Sequence, residues 1–330
     1  SSPTYDPDQL MGRDRGSNYV EMLNNPRQPL FNRAVMSSYP PGSTFKLVNG
    51  LIGLQEGVVT PSMEYACNEG YHVGRGVKCH NHRSPLDLRE AVSNSCNAYF
   101  CHVFRNILDN PKRGGIGEGG YDNWEEYVRS FGFGQKLGSD FPSELGGFIP
   151  DSKYYNKVYR KGGWKATTVI SLSIGQGEIG TTPLHMANLC ATIANRGFYY
   201  TPHIIKDSEN VTIDQKYKEK NYTMVDTTHF HKVIGGMYRA VNSGYGSGGT
   251  ASVAAVEGLE ICGKTGTAQN KGKDHSAFMG FAPMNNPKIA VAVYVENGGW
   301  GATYGVPIGA LIMEKYLNGT LSPQSEMKAS

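Results

Sequence analysis

The stretches of this 330-residue chain that read as β-strand lie almost entirely in its last quarter. Residues 259–267, 276–282 and 289–295 are rich in β-branched and aromatic residues, with polar turns such as Asn285-Asn286-Pro287 between them. Gaps this short favour antiparallel pairing, because a parallel crossover needs a dozen or more residues. The first of these strands is expected to pair, on its free side, with an edge built from residues near the N-terminus. Helical patterns fill the chain before the strands and return after them. The expected class is therefore α+β, an antiparallel β-sheet flanked by helices, with a mostly helical subdomain at about residues 47–240 inserted against the sheet.

Several helices carry their own start signals. Pro40-Pro41-Gly42 breaks the chain just before Ser43, and Phe45, Leu47, Val48, Leu51, Ile52 and Leu54 then form an apolar stripe ending at Gly57. Ser84-Pro85-Leu86-Asp87 reads as a capping box with proline at the first helical position, opening a helix to about Val92. Another is expected from Asn97 through Tyr99, Phe100, Val103, Phe104 and Ile107, stopping before Pro111. Thr182-Pro183 starts one to about Ala194, Asp226 caps one to about Val241, and an apolar helix covers about 306–317. Residues 114–120 and 243–250 are glycine-rich loops, and no internal repeat is present. Residues 1–319 read as one catalytic domain, and 320–330 as a flexible tail.

At 39% hydrophobic the chain has enough apolar residues for a large core. Its net charge of +3 comes from interspersed acids and bases, with no basic stripe, so nucleic acid is excluded as a partner. No run of about 18 apolar residues is present, and the opening Ser1-Ser2-Pro3-Thr4-Tyr5-Asp6-Pro7 looks like mid-protein sequence. The expectation is an excised soluble domain whose targeting or anchoring segment is missing.

Three short motifs carry the chemistry. Ser43-Thr44-Phe45-Lys46 places an amine three residues after a hydroxyl, on one side of a helix, where Lys46 can take the proton of a Ser43 nucleophile. The backbone N–H of Ser43 at a helix N-terminus can face a developing oxyanion. Ser95-Cys96-Asn97 falls at a break between two helices, where Ser95 can relay a proton and Asn97 can hold a substrate amide. In Lys264-Thr265-Gly266-Thr267, Gly266 inside a β-run marks a close approach to the backbone. Thr265 and Thr267 beside Lys264 form a carboxylate-binding strip, with the Thr267 N–H as a second oxyanion donor. Each motif alone is a common turn, helix start or edge strand. In this order they equip a site for acyl transfer through a serine ester.

With these motifs the sequence resembles a class B penicillin-binding protein, most closely the penicillin-binding protein 2 subgroup that acts in cell elongation. The resemblance runs over about residues 26–317. It includes residues 33–46 (RAVMSSYPPGSTFK), 173–197 (SIGQGEIGTTPLHMANLCATIANRG) and Gly249-Thr250-Ala251. It implies the penicillin-binding transpeptidase fold shared with serine β-lactamases. By the same resemblance, Ser43 attacks the penultimate D-Ala carbonyl of a D-Ala-D-Ala stem peptide, Lys46 is the base, and an acceptor amine on a neighbouring stem captures the acyl group. β-Lactams would stall at the acyl stage. The resemblance also implies a glycosyltransferase partner, a membrane anchor and a place on the periplasmic face of the bacterial inner membrane. A serine β-lactamase or D,D-carboxypeptidase would use the same residues but deliver water, and no glutamate in a recognisable class A deacylation motif is present. A non-catalytic β-lactam receptor is the alternative outside enzymes.

Six cysteines remain. Cys101, Cys190 and Cys262 sit among apolar neighbours as buried free thiols. Cys67, Cys79, His82 and Cys96 have the spacing Cys-x11-Cys-x2-His-x13-Cys, a donor set suited to structural zinc, with His80 as the alternative imidazole. A Cys67–Cys79 disulfide, favoured by an oxidising periplasm, and three free thiols are the competing readings. The resemblance adds that some relatives hold zinc in this region with carboxylates in place of some cysteines. The chemistry itself calls for no cofactor.

Overall fold

The structure, a computed structural model, describes residues 1–115, 117–207, 210–244, 247–270 and 272–329, so the 114–120 and 243–250 loops lie partly outside the described residues. Helices α1 (Arg15–Asn24) and α2 (Arg33–Met36) precede α3 (Lys46–Gln55), α4 (Leu88–Asn94), α5 (Asn97–Leu108), α6 (Glu118–Ser130) and α7 (Ser152–Tyr159). Then come α8 (Pro183–Ala194), α9 (Thr227–Asn242), α10 (Gly305–Asn318) and α11 (Pro323–Ala329). Two small antiparallel pairs, β1 (Gly70–Tyr71) with β2 (Val77–Lys78) and β3 (Phe198–Tyr200) with β4 (Lys220–Tyr222), are set apart from the main sheet. That sheet is β5 (Cys262–Ala268), β6 (His275–Ala282) and β7 (Ile289–Val295), in that order and antiparallel, with Thr265 opposite Phe278 and Phe278 opposite Val293.

Side-chain alternation along the strands builds two cores on opposite faces. Cys262, Met279 and Phe281 face the helical lobe and join Phe45, Leu51, Phe100, Phe104, Trp124 and Phe230 in one cluster. Phe278, Val291 and Val293 face α10 and pack with Val306, Ala310 and Met313. The lobe and the sheet therefore share a continuous apolar interior rather than meeting across a linker. Buried Asn49 on α3 accepts the Trp124 indole N–H at 2.8 Å and donates to the Ser173 carbonyl at 3.0 Å, which fastens the helix before the site to the loop beneath it.

Two expectations are corrected. β5 is an outer strand, and among the described residues no N-terminal strand pairs with it. The backbone at Tyr39 pairs with Thr181 instead, and the 3₁₀ turn Gly42–Phe45 packs against β5. The Ser84 capping box does not form: Ser84 Oγ accepts the Cys67 N–H at 2.8 Å, and Asp87 caps α4 through the Glu90 N–H. Beyond Thr320 the chain forms α11, and the Ser322 N–H donates to Glu314 on α10 at 2.9 Å.

Candidate active site

Ser43 lies in the 3₁₀ turn Gly42–Phe45, and the α-helix proper begins at Lys46. The tighter turn still sets residues three apart one above the other. Gly42 makes the turn possible. Its φ is +57°, and a Cβ there would sit 2.7 Å from the Thr267 carbonyl oxygen. Gly42→Ala is therefore expected to cost about 2 kcal/mol or more of stability from the left-handed backbone alone. It should also push β5 away from Ser43; thermal unfolding reads the loss of stability.

Lys46 is fully buried, and Ser43 beside it is only half-buried. Lys46 Nζ donates to the Ser95 carbonyl at 2.6 Å and to Asn97 Oδ1 at 2.6 Å, and lies 3.1 Å from Ser95 Oγ. Burial disfavours its charge and lowers its pKa to about 8, while negative charge on the neighbouring cysteine sulfurs, Cys79 first, pulls it back upward. A pKa near the working pH leaves a share of the amine uncharged at neutral pH and able to accept a proton.

Lys264 approaches the same hydroxyl from the sheet. Its Nζ lies 2.8 Å from Ser95 Oγ and donates to the Thr265 carbonyl at 3.0 Å. Burial first, and the Lys46 charge second, push this amine well below the ordinary lysine value. Ser95 is held between the two amines by a left-handed backbone, φ +56°, at the C-terminal end of α4. That uncommon conformation for serine turns the chain sharply, so that Ser95 and Asn97 both face Lys46.

On β5, Lys264 and Gly266 are buried toward the helical lobe while Thr265 and Thr267 are half-exposed on the other face. A Cβ on Gly266 would meet Thr44 Cγ2 at 3.2 Å and the Pro41 carbonyl at 3.3 Å, so the backbone does approach closely there. Thr267 Oγ1 accepts the Gly301 N–H at 3.3 Å. Lys46, Ser95, Asn97 and Lys264 are thus joined by hydrogen bonds, with Ser43 one turn before Lys46 and Thr265, Gly266 and Thr267 following Lys264 on β5.

Cys67, Cys79, His82 and Cys96 also converge: their donor atoms all lie within 4.8 Å of one another, and the three cysteines are free of disulfides. The hairpin β1–β2, unforeseen in the sequence, brings Cys67 and Cys79 side by side. A tetrahedral zinc with thiolates at about 2.3 Å and imidazole at about 2.0 Å sets sulfur and nitrogen roughly 3.5 Å apart. Cys79 Sγ and His82 Nε2 are 3.5 Å apart. His82 Nδ1 faces the Arg83 carbonyl at 2.7 Å, which places the ring proton there and leaves Nε2 free to bind a metal. His80 stacks edge-on beside His82 and is not among the four converging donors. Cys79 is held well below the usual thiol value, first by a hydrogen bond from Cys96 and then by those from His80, His82 and the Asn97 N–H. The donor set fits zinc.

This cluster is wired to the motif residues. The Asn97 backbone N–H donates to Cys79 Sγ at 3.2 Å, and Asn97 Nδ2 donates to the Lys78 carbonyl at 2.7 Å. Cys96 Sγ accepts the Tyr99 N–H at 3.3 Å, capping α5. Sequence spacing suggested a metal ligand between two site residues, but neither contact of Asn97 had any sequence signal.

The relatives named peptidoglycan D,D-transpeptidase MrdA include that of Acinetobacter baumannii, 33% identical over 92% of this chain and 46% of that protein. That of Haemophilus influenzae is 30% identical over 99% of this chain and 51% of that protein. The chain spans about half the length of these curated relatives. Among solved structures, Pseudomonas aeruginosa PBP2 in complex with WCK 5153 superposes with a TM-score of 0.81 at 31% identity, covering 98% of this chain and 69% of that one. Penicillin-binding protein A from Mycobacterium tuberculosis, as its penicillin G acyl-enzyme, superposes with a TM-score of 0.71 at 26% identity, covering 95% and 70%. The family model described as the penicillin binding protein transpeptidase domain matches residues 1–316, and the chain belongs to that family.

Proposed function

We propose that this chain is the catalytic domain of a peptidoglycan D,D-transpeptidase working through an acyl-enzyme on Ser43. The observation that carries the reading is the Ser95 hydroxyl between two buried amines, 3.1 Å from Lys46 and 2.8 Å from Lys264, with Ser43 one turn before Lys46. Neutral Lys46 takes the Ser43 proton as Oγ bonds to the penultimate D-Ala carbonyl carbon. The carbonyl electron pair moves onto oxygen, facing the Ser43 and Thr267 N–H groups. Collapse breaks the C–N bond, and the leaving D-Ala nitrogen receives a proton through Ser95. The acceptor amine then attacks the ester, its surplus proton returns by the same route, and Ser43 is released with a new amide formed. Asn97 Nδ2, with one hydrogen on Lys78, has a second for the donor's amide carbonyl. Thr265 and Thr267, half-exposed on β5, hold the terminal carboxylate, with the Lys264 charge close by on Ser95.

On this reading Cys67, Cys79, His82 and Cys96 hold a structural zinc, which when bound fixes the β1–β2 hairpin against Asn97. The stem-peptide substrates, inhibition by β-lactams and a place on the periplasmic face of the inner membrane follow from the same assignment. Among the described residues no helix is long and apolar enough to cross a membrane. A similar solved chain, with a TM-score of 0.81 at 28% identity, belongs to a peptidoglycan synthase complex coordinating polymerisation and crosslinking. That supports a glycosyltransferase partner in cell elongation.

Intact-mass measurement after incubation with penicillin G tests the reading. A persistent single adduct on Ser43, absent in Ser43→Ala, is expected. Donor and acceptor stem peptides should then yield a cross-linked product. Rapid loss of the adduct with multiple turnovers would mean a β-lactamase, a stable adduct with no peptide turnover a receptor, and no adduct would overturn the assignment.

A further inference from the structure

We propose that Gln176 is a positioning residue that holds the Thr267 peptide in register with Ser43, so that the two oxyanion donors act as a pair. The inference rests on the acyl-enzyme reading above and adds a residue to it. In an antiparallel edge strand, alternate residues point both their N–H and their C=O away from the partner strand. The Thr265 carbonyl is taken by Lys264 Nζ at 3.0 Å and the Thr267 carbonyl by Gln176 Nε2 at 3.3 Å, so the odd-numbered residues of β5 are the outward ones. The Thr267 N–H consequently points outward as well, toward the turn that carries Ser43.

The same short loop grips that turn. The Gly42 N–H donates to the Gly175 carbonyl at 2.9 Å, and Gly175 lies so close beneath Gly42 that a Cβ on it would sit 2.2 Å from the Gly42 carbonyl oxygen. Gln176 therefore follows a residue locked to the nucleophile turn and reaches across to the strand holding the second donor. Gln176 is only 9% exposed. The loop has backbone anchors of its own, Gly175 N–H to the Leu172 carbonyl at 3.2 Å and Gln176 N–H to the Ser171 carbonyl at 3.1 Å. The side-chain amide is thus not needed to fold the loop, and its contact is with the oxyanion strand.

A group that places an oxyanion donor acts where charge develops, in the transition state, and leaves the initial complex alone. Gln176→Met keeps length and removes the donor. Gln176→Glu keeps shape and sets a carboxylate against the Thr267 carbonyl. Stopped-flow acylation by a chromogenic cephalosporin should show the limiting acylation rate falling about tenfold or more in both variants, with the dissociation constant of the initial complex within twofold of wild type. A boronic acid that forms a tetrahedral adduct on Ser43 should lose affinity by the same factor, because it reports the oxyanion geometry directly. Unchanged limiting rates in both variants, or losses that only track a lowered melting temperature or a weakened initial complex, would sink the positioning role while leaving wild-type acylation intact. Failure of the wild type itself to acylate would instead remove the underlying reading, and this role with it.

Discussion

Lys46→Met is expected to slow acylation of Ser43 by penicillin by about a hundredfold to ten-thousandfold, the usual range for loss of a general base. Methionine fills the buried stem without leaving a charge, so the comparison isolates the amine. The pH profile gives the second half of the test. Burial lowers the Lys46 pKa to about 8, and only the neutral amine can accept the Ser43 proton. The neutral fraction grows as pH rises, so the wild-type rate should climb tenfold per unit below about pH 8 and level off above it. Lys46→Met should lose that limb and show a flat profile. A variant that kept more than a tenth of the wild-type rate, or kept the limb, would assign the base elsewhere, with Lys264 as the next amine on Ser95.

Cys79→Ser is expected to have the next largest effect, because Cys79 belongs to two structures at once. It is one of four converging donors, and its sulfur receives the backbone N–H of Asn97. Elemental analysis of the native protein should find one zinc per chain, and the variant none. A metal at 1,000 times its dissociation constant stabilises the fold by about 4 kcal/mol. At roughly 2 °C per kcal/mol for a chain of this size, the melting temperature should fall by about 8 °C. Penicillin labelling should fall as well, since β1–β2 then no longer holds Asn97 through the Lys78 carbonyl. Treating wild type with EDTA should reproduce both losses, and adding zinc should reverse them. Zinc-free native protein with Cys67 and Cys79 linked on peptide mapping would replace the metal by a disulfide.

The elements that could be read in advance are those with a local physical signal. The last three strands announce themselves by β-branched runs between polar turns, and α5, α8, α9 and α10 by apolar periodicity beside a cap or a breaker. Where two cap signals stand close together, the fold uses only one: Asp87, not Ser84, caps α4, because Ser84 is engaged by the Cys67 N–H. The hairpin β1–β2 has strands of two residues, too short for any periodicity. The outer position of β5 was likewise hidden, since partner choice between strands depends on where the N-terminal segment goes, and that segment pairs with Thr181.

By itself, the sequence determined which chemical groups exist and how they are spaced: a hydroxyl three residues from an amine, a serine and an amide about a loop, a lysine–glycine strand, and four metal-type donors. Residue type and short-range geometry carry that information. Only the tertiary structure decided that one serine oxygen would stand between two buried amines, that Gln176 would reach the Thr267 carbonyl, and that the metal-type donors would hold Asn97. These depend on contacts between residues far apart in the chain, which form through the shared packing of the helical lobe on one face of the sheet. Burial in that shared core is also what shifts Lys46 toward neutrality, a property no local pattern contains.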